Sequence, residues 1–269
     1  MKTTSGSAWA LILGGSSGIG LACVHKLLEK GWAVCAVYRE RRAQTVQVED
    51  EFEELRAQGG TLLSLNLDAT TDEGQQQILE KLAQQLQKTQ GKIGLLLHAV
   101  ARGNLKPMAP LPFEKRTEDL LEESDLLFTI QAMGTNWLRW TRHLLDRDML
   151  SRDARILALT SEGNQRAWRS YAAVSAAKGV LEALARSMAL ELAPYGLRTN
   201  LIQAGITDTP SLRMIPGSDQ LLLNARKRNP LGRLTTPEDI ANVVWLLSLP
   251  EAAWVNGAII RVDGGEAIV

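Results

Sequence analysis

Apolar and polar positions along the chain alternate between two textures. Short apolar runs, AWALIL (8–13), AVCAVY (33–38), TLLSLNL (61–67), IGLLLHAV (93–100), RILALT (155–160), RTNLIQ (198–203) and AIIRV (258–262), are mostly separated by longer amphipathic stretches. Runs that are apolar throughout suit strands buried on both faces, and amphipathic stretches between them suit crossover helices. The pattern predicts an α/β fold with a doubly wound, seven-stranded parallel sheet, in one domain spanning residues 1–269. EDEFEELRAQGG and the stretch from Glu114 to Asp125 are strongly charged and read as solvated helix faces. Segment 207–229, which carries two prolines and several leucines, breaks the strand rhythm after the sixth strand. It follows a strand's carboxyl end, where ligands bind in open α/β sheets, and is a candidate substrate lid.

Lys plus Arg and Asp plus Glu both number 30, so the formal net charge is zero and no nucleic acid or anionic membrane surface is called for. Cys23 and Cys35 both lie in apolar runs and read as buried thiols of a reducing compartment. The first ten residues lack the apolar stretch of a signal peptide, and the longest apolar run is too short to span a bilayer, so a cytoplasmic location is expected. His25 and His143 lack metal-ligand spacing, and no metal is expected. Trp137 and Trp140 read as core or subunit interface.

Gly14, Gly18 and Gly20 fall between the first strand and a helix beginning near Ile19. Glycine lets a backbone turn tightly and approach a pyrophosphate, and free amides at a helix start point toward an anion. This is a Rossmann-type dinucleotide fingerprint in the strand and helix context its mechanism requires. Arg39 follows the second strand, where a guanidinium can pair with a ribose phosphate, so NADPH is favoured over NADH; Glu40 turned inward would reverse that preference. Tyr171 and Lys178 stand seven positions apart in SYAAVSAAKGVLEALARS. On one helix, seven residues make almost two turns and place both on one face.

With these segments, the chain resembles the short-chain dehydrogenase/reductase superfamily nearly end to end. GGSSGIG, Leu67-Asp68, the Tyr171 and Lys178 segment, ELAPYGLRTN, AGITDT, NPLGRLTTPEDIANVVWLLS and GAIIRVDGG carry the resemblance in the family's order. Most members place the catalytic tyrosine four positions before the lysine, where this chain has Val174. The wider spacing resembles the enoyl-acyl-carrier-protein reductase branch. So does His98-Ala99-Val100-Ala101, which replaces an Asn-Asn-Ala-Gly stretch. Met133 replaces the usual structural asparagine, Leu13 replaces the usual threonine before Gly14, and Ser161 stands ten residues before Tyr171. These features are closest to the NADPH-dependent subgroup.

The resemblance implies that Tyr171, Lys178 and Ser161 form the catalytic set. It extends the cofactor site to Ser16, Ser17, Ile19, Leu67, Asp68, the backbone of His98, Ala99 and Val100, and Thr160. It also places Ala204, Gly205 and Ile206 against the nicotinamide carboxamide, Thr209 near the phosphates and Asp68 near the adenine. The expected chemistry is reduction of a trans-2-enoyl thioester: Tyr171 stabilises the enolate oxygen, and Lys178 holds the ribose and lowers the tyrosine pKa. An enoyl chain on acyl carrier protein implies a basic docking patch, with Arg213, Arg226 and Arg228 as candidates. The C-terminal segment implies a homotetramer. Two further readings stay open: a carbonyl reductase or alcohol dehydrogenase acting through the same tyrosine, and a catalytically silent NADP(H)-binding protein.

Overall fold

The computed structural model describes residues 8–112 and 119–269. The alternation predicted from the chain is present: β1 (Ala8–Leu13), α1 (Gly18–Glu29), β2 (Ala33–Tyr38), α2 (Arg42–Ala57), β3 (Leu62–Asn66), α3 (Asp72–Thr89) and β4 (Lys92–His98) come first. They are followed by α4 (Glu123–Ile130), a π-helical turn (Gln131–Thr135), α5 (Asn136–Asp146), β5 (Leu150–Ser161), α6 (Ala172–Glu191) and β6 (Arg198–Ala204). α7 (Pro210–Arg213), α8 (Ser218–Arg228), α9 (Pro237–Ser248) and β7 (Ile259–Val262) complete the order. Residues 114–118 of the charged stretch expected to be a helix face lie outside the described residues. β5 begins five residues before the apolar run that announced it, because Leu150 pairs with Ile93 and the polar residues after it continue the strand.

All seven strands are parallel, in the order β3-β2-β1-β4-β5-β6-β7. Strand order reverses at β1, so the ends of β1 and β4 part on opposite crossovers and leave a crevice between them. Leu13 pairs with His98 at that edge.

The alternation within β1 fills two core layers. Trp9, Leu11 and Leu13 pack with Ile78, Leu82, Trp137, Trp140 and Leu181 on one side of the sheet. Ala10 and Ile12 pack with Val24, Leu27, Ile240 and Val244 on the other. Each fully buried large apolar side chain contributes about 1.5–3 kcal/mol, so this double layer holds the strand ends in place. Cys23 and Cys35 are fully buried in it, and Trp137 and Trp140 are core residues. None of the described helices is long and apolar enough to cross a membrane.

Candidate active site at the carboxyl edge of the sheet

The phosphate end is made of backbone. Gly14 leaves β1 at φ +96°, and a Cβ there would lie 2.6 Å from the Ala99 carbonyl oxygen, so β4 closes directly onto the loop. A Cβ on Gly20 would lie 1.8 Å from the Gly14 carbonyl oxygen. At its N-terminus α1 has extended Ser17 with no side-chain cap, whereas Thr71 caps α3 and Thr236 caps α9. The opening amides of α1 are thus left for an external acceptor, which fits a pyrophosphate.

A cavity of about 320 Å³ runs along this loop. Of the residues predicted for the cofactor, Gly14, Ser16, Ser17, Gly18, Ile19, Gly20, Arg39, Leu67, Ala99, Val100 and Thr209 line it. Asp68, His98, Thr160, Lys178, Ala204, Gly205 and Ile206 do not, nor do the catalytic candidates Tyr171 and Ser161. Tyr38, Arg102, Leu159 and Ser211 line it without having been predicted, and so does Glu40, the residue set against Arg39 in the choice of cofactor. Arg102 carries no sequence signal, since it is a single cation in a loop.

At the adenosine end, Ser16 donates to the Glu40 carboxylate at 2.8 Å. Asn66 brackets residue 40, accepting from its amide at 2.9 Å and donating to its carbonyl at 3.1 Å. Arg39 is 62% exposed at its side chain and lies 3.2 Å from Asp68. Asp68, expected near the adenine, is engaged within the chain: Thr70 donates to one carboxylate oxygen, and Arg102 at 2.5 Å and Arg39 share the other. Burial would raise the Asp68 carboxyl, but the Thr70 and Arg102 hydrogen bonds outweigh it and hold the pKa below the usual range. Arg102 also stacks over Phe128 at 5.1 Å.

The chemical end is made of side chains supported by β5. Tyr171 precedes α6 instead of lying within it, with Ser170 at φ +66° turning the chain into the helix. The Tyr171 carbonyl accepts the Ser175 amide at 2.9 Å, so Tyr171 is the N-cap of the helix carrying Lys178, and both side chains reach β5. Tyr171 Oη lies 3.4 Å from Ser161 Oγ, and Lys178 Nζ donates to the Leu159 carbonyl at 2.7 Å. Leu159 lines the cavity, so the ammonium is bonded to a residue of its wall. Gly163 fits against the phenol ring, where a Cβ would come within 2.4 Å of Tyr171 Cε1. Val174 is buried against Ala132, Met133 and Ala177, with Tyr171 packed beside them.

Electrostatics here follow burial. It raises the Tyr171 pKa above its usual value, opposed in part by the Ser161 hydrogen bond, and the expected lowering by Lys178 is absent. Burial lowers Lys178 to about 8. His98 falls to about 3, through burial and then the Lys178 charge, and stays neutral beside the Asn136 amide at 3.4 Å. Thr160 donates to Glu182 at 3.2 Å, away from the cavity.

The candidate lid holds two helices. Thr209 caps the first and packs on Gly18, and Trp168 Nε1 donates to the Pro216 carbonyl at 3.0 Å. Two of the three arginines expected to receive a carrier are engaged within the chain. Arg213 grips Asp208 and Asp219, while Arg228 grips Glu162 and Glu266.

Comparison with known proteins agrees with this fold. Residues 14–266 match the family model described as enoyl-(acyl carrier protein) reductase. A probable 2,4-dienoyl-CoA reductase of Bacillus subtilis is 28% identical over 264 residues, covering 95% of both chains. A tropinone reductase homolog of Arabidopsis thaliana is 26% identical, covering 96% of this chain and 92% of the relative. In fold, the chain is similar to an enoyl-acyl-carrier-protein reductase of Anaplasma phagocytophilum solved with NAD. The TM-score is 0.80 at 18% identity, over 97% of this chain and 92% of the other. With its glycine loop, parallel sheet and Tyr171–Lys178 pair, the chain belongs to the enoyl-(acyl carrier protein) reductase family of short-chain dehydrogenase/reductases, and it is an oxidoreductase of that superfamily.

Proposed function

We propose that this chain is an NADPH-dependent enoyl-[acyl-carrier-protein] reductase that saturates the trans-2 double bond of an enoyl thioester during acyl-chain synthesis. The observation that carries the reading is Tyr171 Oη, 3.4 Å from Ser161 Oγ, while an apolar Val174 fills the position four before Lys178. NADPH, when bound, would supply the hydride for the β-carbon; negative charge would develop on the thioester oxygen, and the α-carbon would take its proton from solvent or a relay. Burial keeps the Tyr171 phenol protonated at neutral pH, so it donates a hydrogen bond to that oxygen. Ser161 orients the phenol. Lys178, charged below a pKa of about 8, holds the nicotinamide ribose hydroxyls. Arg39, exposed and ion-paired with Asp68, swings at little cost onto the ribose phosphate.

The same phenol suits a ketone oxygen, and the likeness to a tropinone reductase homolog supports a carbonyl reductase as the second reading. NADPH consumption with crotonyl-CoA and longer enoyl thioesters, run beside ketones and 3-oxoacyl thioesters, separates the two. Enoyl turnover is expected, and turnover of ketones alone ends the enoyl reading. NADPH binding without turnover on any substrate, unchanged in Tyr171→Phe, would support the silent alternative. With Arg213 and Arg228 engaged internally, carrier contact falls to exposed Arg226. A homotetramer would cover Trp254, 98% exposed, and Ile259 on the edge strand. Light scattering that reports a monomer rejects it.

A further inference from the structure

We propose that Arg228 is a positioning residue for the nicotinamide end of the site: it neutralises two carboxylates that hold the Ile206 segment and the loop following Ser161. The inference rests on the reading of this cleft as an NADPH site.

Glu266 is 1% exposed. Its Oε2 accepts the Ile206 amide at 3.1 Å, and its Oε1 accepts Arg228 Nη2 at 2.5 Å. The same Nη2 donates to Glu162, the residue after Ser161. One nitrogen at the end of α8 thus joins the base of the candidate lid to both loops. Two other charged groups face this cluster. Arg166 Nε stands 3.5 Å from Glu162 Oε2 while its Nη2 donates to the Val269 carbonyl, and Asp263 accepts the Gly265 and Ala267 amides. Glu162 Oε2 and Arg228 Nε are buried without hydrogen-bond partners among the described residues, and Glu266 pairs with Arg228 while Glu162 also has Arg166.

Removing the guanidinium leaves two carboxylates facing each other at low exposure, which costs more than the pair contributes. Their repulsion is relieved by protonating one of them, since like-charged neighbours raise a carboxyl pKa. A role limited to packing has no such dependence on pH or on a second charge.

The test is NADPH affinity by fluorescence titration of the full chain from pH 6 to pH 8. Arg228→Gln is expected to weaken binding about tenfold at pH 8 and much less at pH 6. The double variant Arg228→Gln with Glu266→Gln is expected to return within about threefold of the parent at pH 8. An unchanged affinity in Arg228→Gln, a loss independent of pH, or a double variant as weak as the single overturns the proposal. If the single variant does not fold, the double variant decides: NADPH binding supports the proposal, and failure to fold or bind overturns it. Because binding is the readout, a parent chain that binds NADPH but reduces no enoyl thioester removes the reaction and leaves this inference standing.

Discussion

The two ends of the cleft are built from different materials. At the phosphate end, backbone amides and absent side chains form the site, and Gly20 has no room for even a methyl group. At the chemical end, a phenol, a hydroxyl and an ammonium are held in place by β5 and by packing. The first end is vulnerable to added atoms and the second to removed ones.

That contrast is broken most directly at the phenol. Tyr171→Phe should lower kcat for an enoyl thioester by about 10²- to 10³-fold with little change in NADPH affinity, as expected on losing one oxyanion donor. Steady-state kinetics beside a binding titration checks it; a variant that loses affinity and keeps kcat places the phenol elsewhere. Gly20→Ala should do the reverse, weakening NADPH binding about a hundredfold because the opening of α1 must shift off the Gly14 carbonyl. Calorimetric affinity equal to the parent's would remove the close approach from the argument.

Lys178 sharpens the comparison through stability. Its folded pKa of about 8 lies below the unfolded reference, so between these values the unfolded chain binds more protons, and stability rises with pH. Uncharged Lys178→Met lacks this penalty and should be more stable than the parent near pH 8. The gap should narrow by about 1–2 kcal/mol by pH 9.5, below the range of the phenols. Urea denaturation at the two pH values measures it; a constant gap contradicts a buried ammonium. The smallest effect belongs to Glu40→Gln. Removing a carboxylate bonded to Ser16 at the ribose end should tighten NADPH binding about threefold and weaken NADH. Paired titrations that move both cofactors alike would take Glu40 out of cofactor choice.

Strand identity and the glycine loop were readable from the chain because both are local. Full apolarity marks a strand covered on two faces, and the spacing of Gly14, Gly18 and Gly20 encodes one turn between β1 and α1. Family resemblance named Tyr171, Lys178 and Ser161, and the first of these stands at the N-cap of the helix that carries the second. Both side chains also reach β5, at Ser161 and Leu159, positions that no periodicity reveals.

Partnership among charges was decided only by tertiary structure. Arg228, Glu162 and Glu266 come from three separated segments, as do Asp68, Arg102 and Phe128. A charge run in sequence says only that the residues tolerate water. Which guanidinium reaches which carboxylate depends on the packing of loops from different strand ends, and that packing also set the direction of every pKa shift at the chemical end through burial.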